Sequence, residues 1–197
     1  VVTTELGGGG RTPAPIHRLA WDGLNNSSSE DRTVRGGDWF GEFDQLASSS
    51  RDINAPREVL YACWTQPEHL VHFFVPKPHR VTACTLDVRA GGACNTTFDV
   101  DGTEMQNNGV YLEVIPNEKL VFTDAYTAGW KPAPEPFMTA ILTFEDAGPG
   151  RTRYRAVARH RNAETAKQHE SMGFHDGWGT VVTQLEEYAQ GLMKAGA

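Results

Sequence analysis

Residues 169–192, HESMGFHDGWGTVVTQLEEYAQGL, carry a helical pattern that is stable only against another layer of the protein. The apolar side chains recur at steps of three and four residues, the period of one face of an α-helix: Phe174, Trp178, Val181, Val182, Leu185, Tyr188, Ala189 and Leu192. The opposite face is predicted to point to water, because it carries Asp176, Thr183, Gln184, Glu186, Glu187 and Gln190. A helix with one apolar face buries it against a partner element, so we expect a sheet in the same chain.

Three glycines interrupt the first part of this helix, namely Gly173, Gly177 and Gly179. Inside a helix each glycine costs roughly 1 kcal/mol relative to alanine. The pattern therefore predicts either close backbone packing or space left for a bound molecule.

Length and charge exclude several classes of protein. At 197 residues and 21.7 kDa the chain is expected to form one domain. The net charge of -7 disfavours nucleic acids and anionic membrane surfaces as partners. No apolar run approaches the ~20 residues that cross a bilayer, and the N-terminus lacks a secretory signal pattern. A soluble, cytoplasmic protein is expected.

The cysteines indicate neither a disulfide framework nor a zinc site. Cys63, Cys84 and Cys94 are odd in number, and their spacing is not the paired spacing of zinc ligands. We expect reduced, partly buried thiols.

Residues 1–42 differ in composition from the rest of the chain. They contain a GGGG tract, a Pro-Ala-Pro step and the polar run NNSSSEDR, which cannot bury enough apolar surface to fold alone. We predict a low-complexity tail, flexible or loosely docked, whose large anchors are Trp21, Trp39 and Phe40. Residues 43–197 then form the folded domain.

The folded region begins with a short polar strand at 43–53 and two short helices. Asn54 is predicted to cap the first helix, and Thr65 with Glu68 has the spacing of a capping box for the second. Six segments of strand length follow, separated by turn residues typical of antiparallel hairpins: 81–88, 93–100, 108–115, 119–126, 137–145 and 151–160. The last segment alternates most clearly, with Arg151, Arg153, Arg155 and Arg159 on a side predicted to face water, and Thr152, Tyr154, Ala156, Ala158 and His160 on the other side. A long helix capped by Asn162 is predicted to run to about residue 193.

This order of elements resembles the helix-grip domain of the START-like, or SRPBCC, superfamily. Four consecutive segments resemble the subfamily named after the C-terminal domain of the heat-shock-ninety ATPase activator: INAPREVLYACWTQPEHLVHFF, DVRAGGACNTTFDVDG, GVYLEVIPNEKLVFT and MGFHDGWGTVVTQLEEY. The resemblance implies an α+β helix-grip fold, with a curved antiparallel sheet wrapped around a long C-terminal helix and two short helices after the first strand. It also implies a hydrophobic cavity between the sheet and that helix.

Eleven residues are candidates for lining this cavity. The aromatic candidates are Trp64, Phe73, Phe74, Phe98, Phe122, Phe174 and Trp178, beside Gly177. Tyr111, Tyr154 and His160 are the candidate polar groups. Each aromatic residue alone is better explained by core packing, but together they are typical of a site for a small apolar ligand. A lone His160 at a strand end is better explained as a structural residue.

No catalytic, metal or cofactor motif stands out. The acids and histidines have no diagnostic spacing for acid–base chemistry: Glu104, Glu113, Asp124, His69, His72, His79, His169 and His175. His169 and His175 lie on roughly opposite faces of a helix, so no shared metal is expected. Phosphate-binding and dinucleotide-binding glycine motifs are absent, and no cofactor is predicted.

Three functions therefore stay open. The first is binding of a small hydrophobic or aromatic molecule between the sheet and the C-terminal helix. The second, implied by the resemblance, is an enzyme like the polyketide cyclases and aromatases, with Tyr154, His160, Asp124 and Glu113 as candidate groups. The third is contact with a chaperone, as the subfamily name suggests. Homodimerisation is compatible with each.

Overall fold

The computed structural model describes residues 49–196. The predicted tail at 1–42, its anchors Trp21, Trp39 and Phe40, and the first six residues of the predicted strand at 43–53 lie outside the described residues. The rest of that strand forms as expected, over Ser49–Ile53.

A seven-stranded antiparallel sheet forms one layer of the described region, in the order β1-β9-β8-β5-β4-β3-β2. Its strands are β1 (Ser49–Ile53), β2 (Arg80–Leu86), β3 (Ala93–Val100), β4 (Thr103–Ile115), β5 (Lys119–Thr123), β8 (Thr139–Asp146) and β9 (Thr152–Arg159). A small ribbon pairs β6 (Tyr126–Thr127) with β7 (Lys131–Pro132). Sequence periodicity misses this ribbon, because a two-residue strand has no period.

The helices are α1 (Arg57–Thr65), α2 (Pro67–Leu70), α3 (Ala163–Ser171) and α4 (Phe174–Ala195). Two short helices follow the first strand, and a long helix ends the chain. The α+β helix-grip prediction is therefore confirmed. No helix within residues 49–196 is long and apolar enough to span a membrane.

The single helix predicted from residue 162 to about 193 is wrong, because the structure divides it into α3 and α4. Gly173 separates them with φ at 85°, a left-handed conformation that ends a helix and that favours glycine. The predicted cap at Asn162 is confirmed: its side-chain oxygen accepts a hydrogen bond from the Thr165 N–H at 2.8 Å.

The two other predicted caps are wrong. Helix α1 begins after Pro56 without a side-chain cap, and the amide of Asn54 lies 3.3 Å from Glu186 Oε1 on α4 instead. Helix α2 begins after Gln66, again without a side-chain cap, while the Thr65 hydroxyl donates to the Tyr61 carbonyl at 2.8 Å. In both cases the side chain finds a partner other than the free N–H groups of the helix start.

Strand β4 begins at Thr103, five residues before the predicted start at 108. Asp101 and Gly102, with φ of 51° and 81°, make a tight turn that brings β4 alongside β3 at once. The first part of β4 carries mainly polar residues, so a hydrophobic pattern does not predict the early start of this strand.

Strand β9 alternates as predicted, with an apolar face turned to the core and an arginine face turned away. Tyr154 is fully buried and His160 is 5% exposed, whereas Arg153 is exposed. Arg155 and Arg159 are only half-buried, so the prediction that the whole arginine face is in water is too strong.

The prediction that Gln184 on α4 points to water is wrong. Its side chain is 8% exposed, because the helix turns this position toward the segment that follows α2. The core between sheet and helices includes Leu60, Phe73, Leu142 and Leu185, each fully buried.

Candidate ligand-binding cavity

A small cavity of about 20 Å³ lies between strands β3–β5 and the two short helices. Its walls are formed by Trp64, Leu70, Phe74, Cys94, Thr96, Asn107, Gly109, Tyr111, Leu120, Phe122, Thr123, Asp124 and Met138. A space of this size holds about one water molecule. A larger guest therefore requires side chains in the wall to move.

The cavity lies farther from the C-terminal helix than predicted, because none of the described residues that line it belongs to α4. Aromatic side chains fill the space beneath that helix. Trp178 lies over Trp64 with ring centroids 6.3 Å apart, and Phe174 lies 5.9 Å from Trp178. The helix thus closes the core behind the cavity wall.

The three glycines at the start of α4 have different surroundings. Gly173 ends one helix and precedes the next, Gly177 is buried, and Gly179 faces open space, since a Cβ atom there would meet nothing within 4 Å. The glycine pattern therefore did not indicate a cavity at Gly179.

Four of the eleven candidate residues line the cavity: Trp64, Phe74, Tyr111 and Phe122. The other seven lie outside its wall, namely Phe73, Phe98, Tyr154, His160, Phe174, Gly177 and Trp178. Of the nine other wall residues, sequence reasoning named only Asp124, as a candidate acid or base, and missed eight, including Thr96, Asn107 and Met138. The register of β3 against β4 places Thr96 opposite Asn107. The Asp101-Gly102 turn predicts that pair once β4 is extended back to Thr103.

Trp64 forms the centre of the apolar wall. Its ring makes edge contacts with Phe73 and Phe74, at centroid distances of 5.1 and 5.2 Å, and lies 6.3 Å from Phe122. The side chain is 2% exposed, and its indole N–H has no hydrogen-bond partner within the described residues. The same holds for the Tyr154 hydroxyl and the Trp178 indole N–H around it.

Cys94 and Tyr111 face each other on the strand side of the cavity. Burial raises the pKa of the Cys94 thiol to about 12, although a hydrogen bond from Tyr111 acts in the opposite direction. Burial also raises the pKa of Tyr111 well above its usual range. Both groups are therefore neutral near pH 7 and act as hydrogen-bonding groups rather than charges.

Asp124 lies in the cavity wall, but its carboxylate has structural partners. It accepts hydrogen bonds from the N–H groups of Phe137 and Met138, each at 3.0 Å. These bonds hold the start of β8 against the end of β5. The carboxylate thus fixes a connection between strands.

The other candidate acids and bases are also in structural interactions or away from the cavity. Glu113 forms an ion pair with Lys119 at 2.8 Å. Burial raises the pKa of Tyr154 well above its usual value, and its ring packs between Trp64 and Phe144. These positions remove support from the enzyme hypothesis. Within residues 49–196, no group of three or more His, Cys, Asp or Glu side chains is arranged to hold a metal ion.

His160 is not the lone histidine that the sequence suggested. Its Nδ1 lies 2.8 Å from the Phe137 carbonyl oxygen, and its Nε2 lies 3.0 Å from Nδ1 of His169. Both rings are buried, and His169 also contacts Phe137 and Phe174 edge-on. The pair joins β9 to α3 and the start of α4.

Comparisons with known proteins agree with this architecture. A family model described as activator of Hsp90 ATPase homolog 1-like protein matches residues 54–190. No curated protein sequence matches the chain.

Several solved structures are similar. A crystal structure of a Nitrosomonas europaea protein has 37% sequence identity and a TM-score of 0.73, covering 77% of this chain and 97% of that one. A Mycobacterium smegmatis protein has 22% identity and a TM-score of 0.60, covering 71% and 87%. An AHSA1-like protein from Aeromonas hydrophila has 15% identity and a TM-score of 0.55, covering 74% and 94%. The last two show likeness of fold alone.

Proposed function

The chain belongs to the family of activator of Hsp90 ATPase homolog 1-like proteins, and on that basis we propose that it binds a small, largely apolar ligand in the cavity between β3–β5 and the short helices. The fold is of a kind that supports ligand binding in general. The observation that carries the proposal is the cavity wall itself, where Trp64, Leu120 and Phe122 form an apolar surface. An apolar surface beside polar groups such as Thr96 and Asn107 is typical of small-molecule sites.

The size of the cavity sets a condition on this function. About 20 Å³ is too small for a ring-sized ligand, so part of the wall has to move on binding. Phe74 and Met138 are the half-buried apolar members of the wall. Methionine is flexible and fills irregular gaps, which makes Met138 the side chain best suited to move.

A titration with alkylbenzenes tests the proposal. We expect ethylbenzene to shift the indole N–H resonance of Trp64 in the full chain. Shortening the wall in Met138→Ala enlarges the cavity, so propylbenzene is expected to bind more tightly to this variant than to the wild type. Met193→Ala is the matched control, since Met193 is half-buried on α4 and lies outside the cavity wall. Absence of a ligand-dependent shift in both wild type and Met138→Ala contradicts the proposal.

The alternatives rank lower. A cyclase-like enzyme requires acids or bases at the ligand, whereas Glu113 is at the surface and His160 and Asp124 bond to protein groups. Contact with a chaperone, suggested by the family name, is checked by measuring the ATPase rate of Hsp90 with and without the protein. A cytoplasmic location and homodimerisation stay predictions.

A further inference from the structure

Two polar residues of the cavity wall lie directly opposite each other on neighbouring strands. Thr96 on β3 pairs in register with Asn107 on β4, and both line the cavity. Thr96 is 4% exposed, and its hydroxyl has no hydrogen-bond partner within residues 49–196. A buried hydroxyl without a partner is costly, so a guest that bonds to it gains an interaction that the described residues do not supply. Asn107 is half-buried and adds a carboxamide at the same level of the sheet.

The charge of the wall limits what this pair can bind. The ionisable side chains of the described wall are Cys94, Tyr111 and Asp124, none of which can carry a positive charge. An anion that binds there loses its hydration and finds no positive charge in the wall. Desolvating an unpaired anion in this way is strongly unfavourable. Desolvation of a neutral hydroxyl, carbonyl or amide group costs much less free energy, and a hydrogen bond to the wall can offset this cost.

Part of the cavity wall is apolar. Trp64, Leu70, Leu120 and Phe122 are apolar residues of the same wall as the Thr96–Asn107 pair. The cavity thus combines an aromatic and aliphatic surface with the Thr96–Asn107 pair, whose hydroxyl has no partner within residues 49–196.

We propose that the Thr96–Asn107 pair binds the polar group of an uncharged ligand whose remaining body is apolar and lies against Trp64 and Phe122. This inference rests on the proposed function, because it requires the cavity to open to a ligand. It assigns the ligand class: small alcohols, phenols, ketones or amides with an apolar ring or chain, and not carboxylates.

Three compounds with the same carbon skeleton test the inference, namely ethylbenzene, 2-phenylethanol and phenylacetate. Dissociation constants are measured with the full chain by NMR titration. Alcohol and hydrocarbon differ in their own hydration, so their dissociation constants are expressed as a ratio for each protein. The quantity of interest is the change in this ratio from wild type to Thr96→Val. We expect Thr96→Val to weaken the relative binding of 2-phenylethanol by about threefold to tenfold, as for loss of one neutral hydrogen bond. Thr96→Ser keeps the hydroxyl and is expected to keep the ratio.

Phenylacetate is expected to bind at least about tenfold more weakly than 2-phenylethanol, because the carboxylate loses its hydration without a cation in the wall. Should Thr96→Val fail to fold, Asn107→Leu at the half-buried partner position gives the same comparison.

The outcomes separate the two proposals. If ethylbenzene binds but the ratio is the same in wild type, Thr96→Val and Asn107→Leu, the head-group inference is wrong and the proposed function stands. Phenylacetate binding as tightly as 2-phenylethanol also overturns the inference. If none of the three compounds binds to wild type or Met138→Ala, the proposed function is wrong and the inference falls with it.

Discussion

The side-chain amide of Gln184 donates a hydrogen bond to the carbonyl oxygen of Phe73 at 2.9 Å, although the two residues are 111 positions apart in the chain. The same nitrogen lies 2.9 Å from the Val75 carbonyl oxygen, and Gln184 Oε1 accepts from the Lys77 N–H at 3.0 Å. One buried side chain thus fastens α4 to the backbone that follows α2. This segment includes Phe74, so the clamp also positions one wall of the cavity.

We expect Gln184→Leu to lower the free energy of unfolding by about 2–4 kcal/mol, because it leaves buried backbone groups without partners. Urea unfolding measures the change. Gln190→Leu is the matched control on the same helix, since among residues 49–196 the Gln190 amide has only a long contact of 3.5 Å with Glu186 and is half-buried. Equal losses in the two variants show that the clamp contributes nothing specific.

Two glycine substitutions near the start of α4 are predicted to act in opposite directions. Gly173→Ala places a Cβ atom on a residue with φ of 85°, which is expected to cost about 1–2 kcal/mol of folding stability. Gly179→Ala adds a Cβ atom where nothing lies within 4 Å, and the higher helix propensity of alanine is expected to stabilise by up to about 1 kcal/mol. Thermal or urea unfolding of both variants measures the signs, and a stabilising Gly173→Ala contradicts the assigned backbone conformation.

The buried histidine pair is predicted to have fixed tautomers. The Phe137 carbonyl can only accept, so His160 must carry its proton on Nδ1, 2.8 Å away. In a neutral His160 ring Nε2 is then the acceptor, and His169 donates to it from Nδ1 across 3.0 Å. Long-range ¹H–¹⁵N NMR at neutral pH is expected to identify both rings as Nδ1–H tautomers, while exposed His175 serves as the solvent-accessible reference. A signal from His160 typical of the Nε2–H tautomer rules out this chain of hydrogen bonds.

Stability is predicted to fall at alkaline pH because of the buried thiols. Burial raises the pKa of Cys63 and Cys94 from 9.0 to about 12 and that of Cys84 to about 11. A raised pKa means that the folded state keeps the proton when the unfolded chain has lost it. The contribution to stability is therefore complete below pH 9 and is lost progressively as the pH rises toward 12.

Urea unfolding between pH 7 and pH 11 measures how steeply the free energy of unfolding falls as the pH rises. Cys94→Ala is expected to reduce this slope. Cys84→Ser, at a half-buried position, is the milder comparison. A slope unchanged in Cys94→Ala means that other groups, such as buried Tyr111 and Tyr154, cause the alkaline loss.

Structural features that depend on residues close together in the sequence are predicted correctly. The alternation of β9 identified Tyr154 and Ala156 as core residues, because a strand turns successive side chains to opposite faces. Asn162 was recognised as a cap because its oxygen reaches an N–H group only three residues away. Asn54 was assigned wrongly for the opposite reason, since its partner Glu186 is 132 positions distant.

The cavity was predicted only in part. Trp64, Phe74, Tyr111 and Phe122 were chosen for their aromatic side chains, and they do line the wall. Thr96 and Asn107 have nothing unusual in sequence, and only the pairing of β3 with β4 brings them together. Phe174 and Trp178 were assigned to a cavity under α4 that their own rings fill.

The sequence alone determined that this chain forms an antiparallel sheet covered by an amphipathic C-terminal helix, because the periods of the side chains and the turn residues are local properties. Only the tertiary structure decided where space remains. Gln184 and His160 acquire partners on segments distant in sequence, and the Thr96 hydroxyl is left without a hydrogen-bond partner among residues 49–196. Whether a wedge between sheet and helix is open or filled depends on how side chains from several elements pack together, and the periodicity of a single element does not contain that information.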